Sequence, residues 1–211
     1  MIGWEQMEPD ELTAALKQAL GRGLPGRAVH RAMGHRLSYG RHHGPVPGDA
    51  RPAAVLLALH QTAKGWSIPA ILRPVVMRAH AGQISLPGGL LEAGETLSQA
   101  ALREFEEELG APSAGLEIVG PLSPVYVFVS GFAITPLIAV SKTPLVLRPN
   151  PDEVAAVLEL PLAALAEPAN RGQHTIERRG LAFTVPHFAI AGYQIWGATS
   201  LILAEFVALL K

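Results

Sequence analysis

Three glutamates, Glu104, Glu107 and Glu108, have the residue type and spacing from which chemistry can be expected. On a helix, positions i, i+3 and i+4 share one face, so the three carboxylates would lie together. Like charges at this spacing repel each other, and carboxylate oxygens are the hard ligands that suit Mg²⁺ or Mn²⁺. From these residues alone, a metal site and an ordinary solvated glutamate face both remain open. Glu106 projects away from the three and fits the solvated face.

The elements around these glutamates predict an α+β fold. A helix is expected from Thr96 to Leu109, with Leu102, Phe105 and Leu109 on a second face that can pack on a sheet. Apolar runs bounded by Pro, Gly and Asn predict strands. These runs cover residues 53–59, 68–72, 116–119, 125–129, 132–140 and 154–158, followed by a hairpin at 175–185 and a final helix at 195–210. A mixed β-sheet covered by helices on both faces follows from this order.

The N-terminal quarter of the sequence lacks the strand pattern of the rest. Residues 10–20 predict a short helix capped by Asp10, and residues 21–51 predict an irregular arm with six arginines and four histidines. The arm is either a basic strip that meets a phosphate or a solvated extension packed on the domain. The adjacent His42 and His43 lack a spaced third ligand for a metal. We therefore expect a helix and an irregular basic arm over 1–51, packed on a domain over 52–211.

Composition excludes several classes of function. The 211 residues carry a formal net charge of −1, and 49% of them are hydrophobic, which argues against disorder and against a general polyanion binder. The absence of cysteine excludes disulfides and a thiolate nucleophile. No apolar run is long enough to span a bilayer, and the acidic N-terminus does not resemble a secretory signal. We expect a cytoplasmic protein that binds neither nucleic acid nor membranes.

The stretch from Gly89 to Gly110 resembles the signature of the Nudix hydrolase superfamily, Gly-x5-Glu-x7-Arg-Glu-U-x-Glu-Glu-x-Gly-U, where U is a bulky apolar residue. All seven fixed positions match: Gly89, Glu95, Arg103, Glu104, Glu107, Glu108 and Gly110. Phe105 serves as the first apolar position, and Ala111 is smaller than the usual last one. The resemblance implies an α/β/α sandwich with a loop–helix–loop motif, and a metal-dependent diphosphatase of nucleoside diphosphate derivatives.

The same resemblance implies a role for each residue. Glu104, Glu107 and Glu108 would be metal ligands, beside a backbone turn at Gly88 and Gly89. Arg103 would hold the carboxylates in place, with Glu95 as its partner or as a water-mediated ligand. The general base varies in this family. Glu153, in the sequence Asn150-Pro-Asp-Glu-Val154, is the first candidate and Glu104 is the second.

The segment before this signature resembles the coenzyme A diphosphatase branch, which carries Leu-Leu-Thr-x-Arg-(Ser/Ala)-x3-Arg-x3-Gly-x3-Phe-Pro-Gly-Gly. The positions that match in register are Arg73, Arg78, Gly82, Pro87, Gly88 and Gly89. The departures are Pro69-Ala70-Ile71, Pro74 and Leu86. Guanidinium groups bind phosphate oxygens in a fork, so Arg73 and Arg78 suit a polyphosphate such as coenzyme A.

Two alternatives to coenzyme A hydrolysis stay open. Another nucleoside diphosphate derivative, such as ADP-ribose or NADH, would need the same chemistry. A ligand-binding protein that has this fold without turnover is the alternative from a different class, although all the carboxylates of the signature are present. A homodimer is a further expectation, because the N-terminal arm and the apolar final helix could both bury surface.

Overall fold

A computed structural model describes residues 3–34, 46–74, 82–178 and 180–211. Its helices are α1 (Pro9–Gly21), α2 (Gly26–Met33), α3 (Leu97–Leu109), α4 (Leu162–Ala166) and α5 (Ala198–Leu209). The strands of the main sheet are β1 (Arg51–Thr62), β2 (Gly65–Leu72), β3 (Ile84–Ser85), β4 (Gly88–Leu90), β5 (Leu116–Pro121), β6 (Val125–Val127), β7 (Phe132–Ser141) and β8 (Ala156–Pro161). A second sheet contains β9 (Arg171–Arg178), β10 (Leu181–Ile190) and β11 (Tyr193–Trp196).

The main sheet is mixed, as predicted. Its path runs β3-β2-β1-β7-β5, and the one parallel pair among the described ladders of this sheet is β1 with β7. The short strand β4 pairs with β1, β6 pairs with β7, and β8 pairs with β2. Since β4 is hydrogen-bonded to the central strand β1, the residues that follow it begin close to the middle of the sheet.

Both faces of the sheet are covered. In β1, Val55, Leu57 and Leu59 belong to the core that contains the apolar residues of α1 and α5. The alternate residues of this strand, Ala54 and Leu56 among them, belong to the core beneath α3. Successive side chains of a strand point to opposite faces, so α3 and α5 lie on opposite sides of one sheet. The predicted mixed sheet with helices on both faces is confirmed.

The N-terminal segment departs from its prediction in two respects. Helix α1 is present, but its cap is Glu8, in a reciprocal capping box with Glu11, and not Asp10. The expected irregular arm is wrong for Gly26–Met33, which form helix α2. Its buried face packs on α5, and His30 there reaches the Glu205 carboxylate at 2.9 Å. Its residues include good helix formers such as Arg, Ala and Met, but eight residues are too few for a stable isolated helix, so the contact with α5 stabilises it.

The remaining predicted elements lie where expected, with ends that differ by a few residues. The hairpin at 175–185 is the β9–β10 pair, which extends further in both directions. The final helix begins at Ala198, because Tyr193–Trp196 form strand β11. In the described ranges, the helices are too short or too polar to cross a bilayer. His42 and His43 lie outside the described residues.

Candidate functional site

A loop, a helix and a second loop hold the carboxylates on one face of the sheet. Strand β4 leads into a loop, and α3 then begins at Thr96, which forms a capping box with Gln99. The helix ends at Gly110, whose φ of 61° is left-handed. An added Cβ at Gly110 would collide with the carbonyl of Arg148, so the close approach of the next loop requires glycine here.

Arg103 joins the carboxylates of this motif. Its Nε and Nη2 donate to the two oxygens of Glu95, at 2.8 and 3.1 Å. Its Nη1 donates to Glu104 at 2.9 Å and to Glu107 at 3.0 Å, and Nη2 also donates to the Leu90 carbonyl at 3.1 Å. The bond to Glu95 raises the pKa of Arg103 and lowers that of Glu95. The fork geometry of a guanidinium is needed to make all these bonds at once.

Glu108 is the most deeply buried carboxylate of the three. It is 3% exposed, and its Oε2 accepts a hydrogen bond from the Gly88 N–H at 2.9 Å. Burial raises the pKa of Glu108 to about 8, against the lowering effects of this bond and of the Arg73 charge. A carboxylate with one direct donor in an apolar setting is stabilised by a nearby cation.

Glu104 lies against the backbone of β4. An added Cβ at Gly89 would meet the Glu104 carboxyl group, so the carboxylate occupies the space that a side chain would take. Burial raises the pKa of Glu104 more than the hydrogen bond from Arg103 lowers it. Glu107, by contrast, is exposed. The three carboxylates therefore share the predicted face of α3 but differ in their burial.

Glu153 comes to the same place from a distant part of the chain. It lies exposed in the turn at 151–153, just before β8, and its charge raises the pKa of both Glu104 and Glu108. The Asn150 N–H donates to the Glu108 carbonyl at 2.9 Å, which ties this turn to the end of α3. The fold thus brings the first candidate base close to the carboxylates of the helix.

The end of β2 brings Arg73 to this group. Its Nη1 lies 3.8 Å from Glu108 Oε1, which is an ion-pair contact beyond hydrogen-bond distance. Its backbone N–H donates to the Gln83 carbonyl, and the Gly82 N–H donates to the Arg73 carbonyl. Gly82 has a φ of 67° and shapes the turn that continues the β2–β3 ladder. Arg78 lies outside the described residues.

The chemistry of these residues fits a divalent cation. Partly buried Glu104 and buried Glu108 offer hard oxygen donors with raised pKa values, and Gly89 leaves the space that the Glu104 carboxylate occupies. In the described part of the chain, no three metal-binding side chains already converge on one point. The reason is visible in the contacts, because Arg103 occupies Glu104 and Glu107 through one nitrogen.

Some contributors carried no signal in the sequence. The Leu90 carbonyl and the Asn150 N–H act through the backbone, so their residue type says nothing about their contacts. Ser85 lies in β3 near the end of β2, and its hydroxyl is buried without a hydrogen-bond partner among the described residues. A serine three residues before Gly88 belongs to no spacing that the sequence analysis singled out.

A mixed sheet with a carboxylate-bearing loop–helix–loop on one face is the arrangement expected for a hydrolase of phosphoanhydrides. A family model described as "NUDIX domain" matches residues 50–179. The chain is 34% identical, over 166 residues, to an "uncharacterized Nudix hydrolase NudL" of Salmonella dublin, covering 74% of this chain and 86% of that protein. A protein of the same description in Salmonella paratyphi B shows the same identity and coverage. This chain belongs to the Nudix hydrolase family.

Two solved structures are similar to part of this chain. A Nudix hydrolase from M. smegmatis, RenU, matches with a TM-score of 0.47 and 26% identity, over 56% of this chain and 74% of that one. A MutT protein from Methanosarcina mazei matches with a TM-score of 0.48 and 16% identity, over 77% of this chain and 96% of that one. The protein is an enzyme of the class that acts on phosphorus-containing anhydrides.

Proposed function

We propose that this Nudix hydrolase cleaves the pyrophosphate of coenzyme A or of its acyl esters. The products would be 3′,5′-ADP and 4′-phosphopantetheine or its acyl form. The observation that supports the proposal is the position of Arg73 beside Glu108. This residue matches the coenzyme A diphosphatase pattern, and its guanidinium lies against Glu108, where a pyrophosphate bound at the carboxylates would need a cation.

Nudix hydrolases in general use divalent ions such as Mg²⁺ or Mn²⁺, and in this chain Glu104, Glu107 and Glu108 would hold the ion beside the backbone of Gly88. When bound, the ion would neutralise phosphate oxygens and make water more acidic. Arg103 orients the carboxylates from its anchor on Glu95 and Leu90. Gly89 leaves room for Glu104.

Glu153 is the proposed general base, with Glu104 as the second candidate. Glu153 is exposed, so it can exchange its proton with solvent, and its charge reaches the two buried carboxylates. It would accept a proton from the attacking water, while Arg73 and Arg78 hold the phosphates of the substrate. Gly82 supports Arg73 through its backbone hydrogen bond. Homodimer formation and a cytoplasmic location stay predictions from the sequence alone.

A substrate panel tests the proposal. The full chain is incubated with Mg²⁺ or Mn²⁺ and coenzyme A, 3′-dephospho-coenzyme A, ADP-ribose or NADH, and the products are resolved by mass. We expect the highest kcat/KM for coenzyme A. Arg78→Ala should lower the ratio of kcat/KM for coenzyme A to kcat/KM for 3′-dephospho-coenzyme A. Arg22→Ala, an exposed residue after α1, is the control. An equal or higher kcat/KM for the dephospho form would remove the basis for coenzyme A and favour another nucleoside diphosphate derivative.

A further inference from the structure

Two buried polar atoms lack a hydrogen-bond partner among the described residues, and both lie at the same corner of the sheet. They are Arg73 Nε and Ser85 Oγ. Buried polar groups are nearly always paired in folded proteins, and an unpaired one reduces stability. The two atoms lie in neighbouring parts of the sheet, Arg73 also contacts Glu108, and the described ranges contain no other such atom, so this corner is a place where a partner is missing.

The strand register puts both side chains on the α3 side of the sheet. Ser85 pairs with Ile71, which belongs to the core beneath α3. The neighbours of Ser85 along the chain, Ile84 and Leu86, point into the opposite core. Arg73 follows Ile71 by two residues and continues the ladder through its bond to the Gln83 carbonyl, so it shares the face of Ile71. Arg73 and Ser85 are therefore diagonal neighbours across adjacent strands, a separation that long side chains can bridge.

The Arg73 guanidinium is partly accessible and is not hydrogen-bonded to Glu108. Its side chain is 24% exposed, and its contact with Glu108 at 3.8 Å is too long for a hydrogen bond. Because Arg73 Nε is itself buried, a ligand oxygen can accept from it only after the side chain rotates. An anionic oxygen is the partner that satisfies two donors beside a carboxylate centre.

We propose that Ser85 is a binding residue, and that its hydroxyl and Arg73 Nε together hold one non-bridging phosphate oxygen of the substrate pyrophosphate. The inference rests on the proposed function, which places a pyrophosphate beside Glu108. It adds a residue that the sequence patterns do not contain. Because the hydroxyl is unpaired in the free protein, it reduces stability there and contributes only when the ligand is bound.

The test combines stability with ligand affinity. The probe is adenosine 5′-(α,β-methylene)diphosphate, a nucleoside diphosphate with a non-hydrolysable bridge, titrated calorimetrically in Mg²⁺. We expect Ser85→Ala to weaken its binding about ten-fold, the size of one hydrogen bond to a charged group. The Tm of Ser85→Ala should equal or exceed that of the unchanged protein, because the variant removes a buried unpaired hydroxyl. Ser85→Thr, which keeps the hydroxyl, should restore most of the affinity.

Ser67→Ala is the matched control. Ser67 is a buried serine of β2, and its Oγ bonds Thr62 Oγ1 at 3.1 Å. This variant should lose stability and keep its affinity. If Ser85→Ala behaves in the same way, with a lower Tm and unchanged affinity, Ser85 has a structural role and the inference is wrong.

Arg73→Ala separates this inference from the proposed function. If Arg73→Ala weakens binding and Ser85→Ala does not, only the role of Ser85 fails. If neither variant weakens binding, the placement of a pyrophosphate beside Glu108 fails as well. If both act on one oxygen, Ser85→Ala should cause little further loss in the Arg73→Ala background. A full additional ten-fold loss in that background would contradict a shared oxygen.

Discussion

Two buried glutamates, on helices that pack against opposite faces of the same sheet, have opposite electrostatic settings. Glu205 in α5 is fully buried, and its oxygens accept from His30 Nε2, from the Gly26 N–H and from the N–H and Oγ of Ser123. Burial alone would raise its pKa, but these bonds outweigh it and hold the pKa of Glu205 below its ordinary value. Glu108 in α3 has one direct donor, and its pKa is raised to about 8.

The difference separates a carboxylate that holds the fold together from one that is available for chemistry. All the donors to Glu205 lie outside α5. Gly26 and His30 belong to α2, and Ser123 lies in the segment before β6, so this side chain joins three parts of the chain. The surroundings of Glu108 leave its charge incompletely compensated, and unpaired atoms belong to Arg73, which contacts Glu108, and to Ser85 in the strand beside Arg73. Unsatisfied groups reduce stability, and functional sites are where folded proteins retain them.

The largest expected effect concerns Glu108. Changing Glu108→Gln should lower hydrolysis about 1000-fold, or about 4 kcal/mol in the barrier, because the amide removes a charged ligand from the proposed metal site. The free energy of unfolding should stay equal or rise, since a buried charge is removed. Initial rates and urea unfolding measure the two quantities. Glu106→Gln, on the other face of α3, is the control, and a Glu108→Gln rate within ten-fold of normal would contradict the assignment.

The reverse result is expected for Glu205. Glu205→Ala leaves His30, Ser123 and the Gly26 N–H without their partner, so the free energy of unfolding should fall by about 3 kcal/mol. The rate per folded molecule should be unchanged. Urea unfolding followed by circular dichroism measures the loss. Glu159→Ala is the control, because Glu159 is partly exposed and is the partner of one buried group, His60, so its removal should cost less, about 1 kcal/mol.

The acid limb of the stability profile should also depend on Glu205. The folded pKa of Glu205 is below its ordinary value of 4.5, so its charged form stabilises the fold above that pH. This contribution is lost as pH falls through the folded pKa, where the carboxylate accepts a proton. Glu205→Gln cannot titrate, so its free energy of unfolding should decline less steeply between about pH 6 and pH 3. Parallel declines in the two proteins would contradict this role for Glu205.

The catalytic motif was predictable because it occupies one continuous stretch. Spacing alone placed Glu104, Glu107 and Glu108 on one helix face, and the glycine after Leu109 marked the end of the helix. Glu153 was predictable as a candidate only through the resemblance, since the turn that brings it to α3 depends on the pairing of β8 with β2. Pattern reasoning finds sites that are local in the chain.

The Glu205 cluster could not be predicted, since its contacts join residues far apart in the chain. His30 and Glu205 are 175 positions apart, and Ser123 and Glu205 are 82 apart. Helix α2 was missed because the many Gly and Pro residues around it indicate a loop, whereas contact with the distant α5 stabilises this short helix. For the cap of α1, the prediction of Asp10 was wrong although the sequence contains a local signal for Glu8. Pro9 fits the first position of a helix, which makes the preceding Glu8 the cap.

The smallest expected effect compares two adjacent glycines of β4. At Gly89 an added Cβ would meet only the Glu104 carboxyl group, whereas at Gly88, with a φ of 146°, it would collide with the backbone of Ala54 and Val55. A side chain can move aside and a central strand cannot. Gly89→Ala should therefore lower hydrolysis about ten-fold, or about 1.4 kcal/mol, with little change in Tm. Gly88→Ala should lower Tm by several degrees because the strand pairing must shift.

Rates and thermal unfolding of the two glycine variants, measured side by side, decide whether Glu104 needs this position. If Gly89→Ala keeps its full rate, the carboxylate can work from a displaced position, and the close fit against β4 is not part of the catalytic geometry. If Gly89→Ala loses as much Tm as Gly88→Ala, the space at Gly89 supports the strand and not the site. If Gly89→Ala loses rate without losing Tm, the backbone of β4 serves the site rather than stability. It would then resemble Glu108 and differ from Glu205.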